Sequence, residues 1–144
     1  MWQFAATFFY LGKLPLAPGS WGSLGALILW GFLPLSYTIQ LMTIIILFSI
    51  GVISSRKIAD AMNDPDPSEV VIDEATGMGI ALFMLPHNIT IYLIAFILFR
   101  IFDIFKPSFI YRMQNLSGGW GIMMDDVSAG IIAWLICQGL LTIL

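Results

Sequence analysis

The chain has 144 residues, of which 59% are hydrophobic and only 10% charged, and its mean hydropathy is +0.93. A soluble domain is about 45–50% apolar and about 25% charged, so this balance excludes a disordered chain and an ordinary cytosolic globule. A net charge of −3 with six Lys and Arg gives no bulk attraction for a nucleic acid, which leaves one integral membrane domain over residues 1–144.

Residues 1–12 carry Trp2, Phe4, Phe8, Phe9 and Tyr10, a composition suited to the headgroup level. With no basic start and no small-residue cleavage site, this stretch does not read as a signal peptide. Leu14–Gly25, LPLAPGSWGSLG, holds two prolines and several glycines, which argues against a regular helix up to about Ser20. Apolar runs then follow at Leu24–Phe32, Thr38–Ile53, Ala75–Leu85, Ile89–Phe99 and Val127–Leu144. Between the last two, Pro107–Leu116 places Phe109, Ile110, Met113 and Leu116 at near-helical spacing, the pattern of a short amphipathic helix on a membrane surface. The expected fold is an all-α polytopic membrane bundle of about four to five embedded helices, with short interfacial helices.

The charges decide the topology. Eight of the fifteen charged residues fall in Arg56–Glu74, six in Arg100–Asp126, and the remaining one is Lys13. The turns Leu33–Tyr37 and Pro86–Thr90 and the tail after Ile136 hold none. Five crossings therefore put every charge on one side. All six Lys and Arg lie there, and the positive-inside rule assigns that side to the cytoplasm. An ion at the bilayer centre costs at least about 2.5–3.5 kcal/mol. Several runs fall short of the roughly 20 residues a span needs, so their charged ends must enter the interface with polar groups turned toward one another.

Four polar clusters result. Gly19, Ser20, Gly22 and Ser23 open the first run, either as a membrane-entry turn with a Ser cap or as hydroxyl and N–H donors to an anion. Asp73 and Glu74 sit at the mouth of an apolar helix. One acid there complements the macrodipole, and two suit a hard cation, which takes carboxylate oxygens. Arg100, Asp103 and Lys106, three apart, share an arc of about 120° on one helix. They form either a local ion pair or two cations for a phosphate beside a carboxylate for a metal. Asp125 and Asp126 open the last run; one can cap it, and the other needs a cation beside it. Cys137, mid-run, reads as a packing residue, and His87 stands alone on the uncharged side.

Taken together, LAPGSWGSLGA (Leu16–Ala26), DPSEVVIDEATG (Asp66–Gly77), FRIFDIFKPS (Phe99–Ser108) and GGWGIMMDDVSAG (Gly118–Gly130) resemble the phosphatidylglycerophosphatase A family. Ser20 stands where that family more often has Thr, and Pro107–Phe109 replaces a Pro-Trp-Pro-like string. The resemblance implies Mg²⁺-dependent removal of the terminal phosphate from phosphatidylglycerophosphate at the bacterial inner membrane, the site facing the cytoplasm. On this reading Asp73, Glu74, Asp103, Asp125 and Asp126 are the catalytic and Mg²⁺-holding acids. Lys13, Ser20, Ser23, Arg100 and Lys106 bind the substrate phosphate. The partners are a phospholipid substrate and the bilayer, with no nucleic acid. The alternatives are a phosphatase for a different lipid phosphate, or a small ion-transport protein.

Overall fold

The computed structural model describes residues 1–144 and is all-helical. In chain order the helices are α1 (Trp2–Ala6), α2 (Pro18–Phe32), α3 (Tyr37–Met62), α4 (Ile72–Ala81), α5 (Ile89–Phe105), α6 (Ser108–Met113) and α7 (Gly119–Ile143), with a 3₁₀ turn at Leu11–Lys13.

Only α3 and α7, with 26 and 25 residues, are long and apolar enough to cross a membrane. At 1.5 Å per residue each spans about 38 Å, against about 30 Å of hydrocarbon. Fewer than a third of the residues in their most apolar windows are buried. Ile39, Met42, Ile45, Ile46, Ile50 and Ile53 lie exposed along α3, a surface that a soluble monomer does not carry. The chain is thus membrane-associated. α2 and α5, with 15 and 17 residues, reach about 23 and 26 Å. α4, with ten, is too short to cross.

The expected helix starts shift at two places. α2 begins at Pro18 rather than after Ser20, because Pro at the first helical position is preset for the helix and its missing N–H would have no partner there. α7 begins at Gly119, capped by the backbone of Gly118 with no side-chain bond. Asp125 and Asp126 are therefore two turns inside the helix, and neither caps it.

The core forms where α2, α4, α5 and α7 meet, around Trp30, Met78, Leu82, Leu85, Phe99, Ala129 and Ala133. α4 and α7 run side by side in the same direction. A Cβ on Gly77 would lie 2.5 Å from the carbonyl oxygen of Asp126, and one on Gly130 would collide with the Gly77 backbone. Close approach through small residues is how helices associate without a hydrophobic drive between them. At the uncharged end, Gln40 donates to the Pro34 carbonyl at 3.2 Å and accepts the Met84 amide at 2.8 Å, fastening the turn before α3 to the chain just after α4. Asn88 caps α5 by accepting the amides of Thr90 and Ile91. At the other end, α1 packs on α3, with Lys57 over the Trp2 ring at 4.3 Å.

Candidate active site

The parallel seam of α4 and α7 fixes the acids. Asp73 precedes Gly77 by one turn and Asp126 precedes Gly130 by one turn. The same glycine contact that closes the helices therefore brings their carboxylates together. Oxygens of Asp73, Asp125 and Asp126 lie within 4.8 Å of one another, and all three residues are buried. α5 runs back against this pair and delivers Arg100 and buried Asp103 at its charged end.

A cavity of about 310 Å³ opens over these groups, lined by Asp66, Asp73, Glu74, Arg100, Asp103, Lys106 and Asp126, with Pro18 and Gly19 of the α2 start. A Cβ on Gly19 would meet the Glu74 carboxylate, with the Arg100 guanidinium 3.1 Å away. Glycine is what lets the α2 backbone reach that wall.

The charges are partly matched. Arg100 pairs with Asp103, and Lys106 Nζ donates to Asp125 Oδ2 at 2.7 Å. The same oxygen accepts Gln114 Nε2 at 3.1 Å, and Asp125 Oδ1 accepts the Asp126 amide at 3.0 Å. Two cations are thus spent on two acids, leaving Asp73, Glu74 and Asp126 without a cationic partner. Asp73 Oδ1, Glu74 Oε2 and Arg100 Nε are buried with no hydrogen-bond partner, an arrangement that costs free energy unless a ligand completes it.

The electrostatics follow. Burial, then the neighbouring Glu74 charge, holds the Asp73 carboxyl well above its usual range. Burial pushes Glu74 up to about 7. Burial alone would lower Lys106, but its bond and charge pairing with Asp125 outweigh this and raise it. All-oxygen donors, an excess of buried carboxylate and two orphaned acceptor atoms fit a hard divalent cation, and Asp73, Asp125 and Asp126 could share one.

Three sequence candidates lie apart from this centre. Lys13 is exposed over the Tyr10 ring at 5.5 Å. The Ser23 hydroxyl donates to the Gly19 carbonyl at 2.9 Å inside α2. Ser20 is absent from the cavity lining, where its neighbour Gly19 stands instead. Sequence reasoning passed over Gln114 and Asp66. Gln114 lies eleven residues before the acid pair, and only the turn into α7 folds it back onto Asp125. Asp66, which opens the DPSEVVIDEATG stretch, also lines the cavity.

Comparison with known proteins adds the family. A putative phosphatidylinositol-3-phosphatase of Bacteroides thetaiotaomicron is 40% identical over 90% of this chain and 87% of its own length. The phosphatidylglycerophosphatase A of Escherichia coli K12 is 37% identical over 92% of this chain and 78% of its own. That of Haemophilus influenzae is 38% identical over 87% and 79%. No solved structure matches. A sequence model of phosphatidylglycerophosphatase A matches residues 4–141, so the chain belongs to the phosphatidylglycerophosphatase A family of phosphatases.

Proposed function

We propose that this chain removes the terminal phosphate monoester of phosphatidylglycerophosphate, with Mg²⁺, at the cytoplasmic face of the bacterial inner membrane. The observation that carries this reading is the uneven charge balance of the cavity. Three acids without a cationic partner stand beside two cations, at the one end of the bundle that holds all the charged side chains. Acyl chains remain in the bilayer there while the phosphate enters a polar pocket. α2 and α5 join α3 and α7 as embedded helices, and α4 enters without crossing.

Asp73, Asp125 and Asp126 would hold Mg²⁺, with Glu74 and Asp103 beside them. When bound, the ion supplies charge neutralisation of the phosphoryl oxygens. The chain's own groups do the rest. Arg100 keeps its Nε free to donate to a phosphate oxygen while its Nη1 holds Asp103. Lys106 has three donors and spends one on Asp125. Hydrolysis breaks the ester P–O bond: water supplies the new oxygen, and the departing glycerol oxygen takes a proton. Glu74, a carboxylate of the cavity wall outside the Asp73, Asp125 and Asp126 group, is placed to take the proton from the attacking water.

A second reading, a phosphatase for a phosphorylated inositol lipid, is favoured by the name of the Bacteroides relative. Ion transport is disfavoured, because a conduit needs polar groups through its depth and the charged groups occupy one end.

The test is phosphate release from phosphatidylglycerophosphate, phosphatidylinositol 3-phosphate and phosphatidic acid, with Mg²⁺ or EDTA. Asp73→Asn, Glu74→Gln, Asp103→Asn, Asp125→Asn and Asp126→Asn are measured in membranes with verified expression. Loss of a charged acid at such a centre is expected to cost about 10²-fold or more. Near-normal turnover in all five, or turnover undiminished by EDTA, would overturn the proposal.

A further inference from the structure

A second, larger recess of about 590 Å³ lies on the same charged end, between the last two turns of α3 and the start of α7. Its polar walls are Arg56, Asp60, Asn63, Asp64, Asp66 and Gln114. Two of these tie it to the phosphatase cavity. Asp66 lines both spaces, and Gln114 donates to Asp125. The connecting loop is shaped by its own bond, the Asp66 amide donating to Asp64 Oδ1 at 3.0 Å.

We propose that this recess is the headgroup subsite, taking the polyol that carries the scissile phosphate together with the phosphodiester that joins it to the lipid. The proposal rests on the lipid-phosphatase reading above and deepens it. The chemistry of the walls selects the ligand. Carboxylates accept from hydroxyls, and the amides of Asn63 and Gln114 both donate and accept, which is the pattern a polyol requires. Both spaces fall within the range of small-ligand sites. Arg56 supplies the one positive charge. Its pairing with Asp60 is long, at 3.9 Å, and both side chains are more than two-thirds exposed, so it holds Arg56 weakly and leaves the guanidinium free for a phosphodiester. Arg56 stands six residues before the end of α3 and seven before Asn63, about 10 Å nearer the membrane than Asn63. The order of groups along the lipid is thus reproduced: diester at Arg56, polyol against Asn63 and Asp60, terminal phosphate in the acid-lined cavity.

The test compares wild type, Arg56→Gln and Asn63→Ala in nanodiscs on two substrates. One is phosphatidylglycerophosphate. The other is phosphatidic acid, whose monoester sits directly on diacylglycerol and has no polyol or diester to place. Losing a hydrogen bond to a charged or polar headgroup group is expected to raise KM for the first lipid about tenfold. Its kcat, all constants for the second lipid and the thermal midpoint should stay unchanged. The soluble headgroup, glycerol bisphosphate, should compete in wild type and lose about the same factor in the variants. Unchanged KM in both variants would overturn the subsite, as would equal effects on both lipids, while leaving the phosphatase reading standing. Release of phosphate from neither lipid by wild type would overturn the reading beneath it as well.

Discussion

Asp73 and Glu74 are adjacent in sequence, buried at the carboxyl groups and close enough to share a proton, so they titrate as a pair. Glu74 is raised from 4.5 to about 7, with burial the largest cause. A raised acid is neutral in the fold over a range where the unfolded chain is already ionised. In EDTA, stability should therefore fall as pH rises from about 4.5 through about 7. A cation that binds carboxylates reverses the demand, because its binding must expel the retained proton. Mg²⁺ affinity is accordingly expected to strengthen about fivefold from pH 6 to pH 7 through Glu74. Calorimetric titration in two buffers of different ionisation enthalpy reads the proton release directly. An affinity that does not change with pH, with no proton released, would remove Glu74 and Asp73 from the cation's surroundings.

At the level of helices, the site exists because α4 and α7 lie in parallel contact along Gly77 and Gly130. A methyl group at position 130 would run into the Gly77 backbone, and backbone cannot swing aside as a side-chain tip can. Gly130→Ala is expected to destabilise the protein by about 1–3 kcal/mol and to separate Asp73 from Asp126, lowering turnover as well as the thermal midpoint. Gly139→Ala, with open space around the added carbon, is the matched control and should be neutral or slightly stabilising. Equal behaviour of the two variants would mean that the seam is not closed as described. This pairing also marks how far the sequence could be read. Acids on α4 and α7 were identifiable as ligand candidates because apolar helices rarely carry them without purpose. Which acid faces which was not identifiable, since it depends on where each helix begins. Moving the start of α7 back to Gly119 turned Asp125 and Asp126 from capping candidates into buried mid-helix groups. The even spacing of Arg100, Asp103 and Lys106 suggested one shared face. Lys106 instead leaves the helix at φ 41° and reaches α7, a departure that no periodicity encodes. Ser23 was a plausible anion donor until the helix placed its hydroxyl one turn above the Gly19 carbonyl.

Across the whole molecule, charged side chains gather at one end, while the opposite turns are held by neutral groups, Gln40 and Asn88. By the positive-inside rule this asymmetry is expected to favour one insertion over its inverse. The bundle's orientation is therefore testable apart from its chemistry. In a Cys137→Ala background, which removes the buried native thiol, Asp64→Cys and His87→Cys put single thiols at exposed positions on opposite ends. A membrane-impermeant maleimide applied to intact spheroplasts is expected to label His87→Cys and to reach Asp64→Cys only after the membrane is opened. Labelling of both without opening would show that the charged end does not lie behind the bilayer. The reverse pattern would place the acid-lined cavity outside the cell, and the proposed cytoplasmic assignment would fall while the geometry of the site remained.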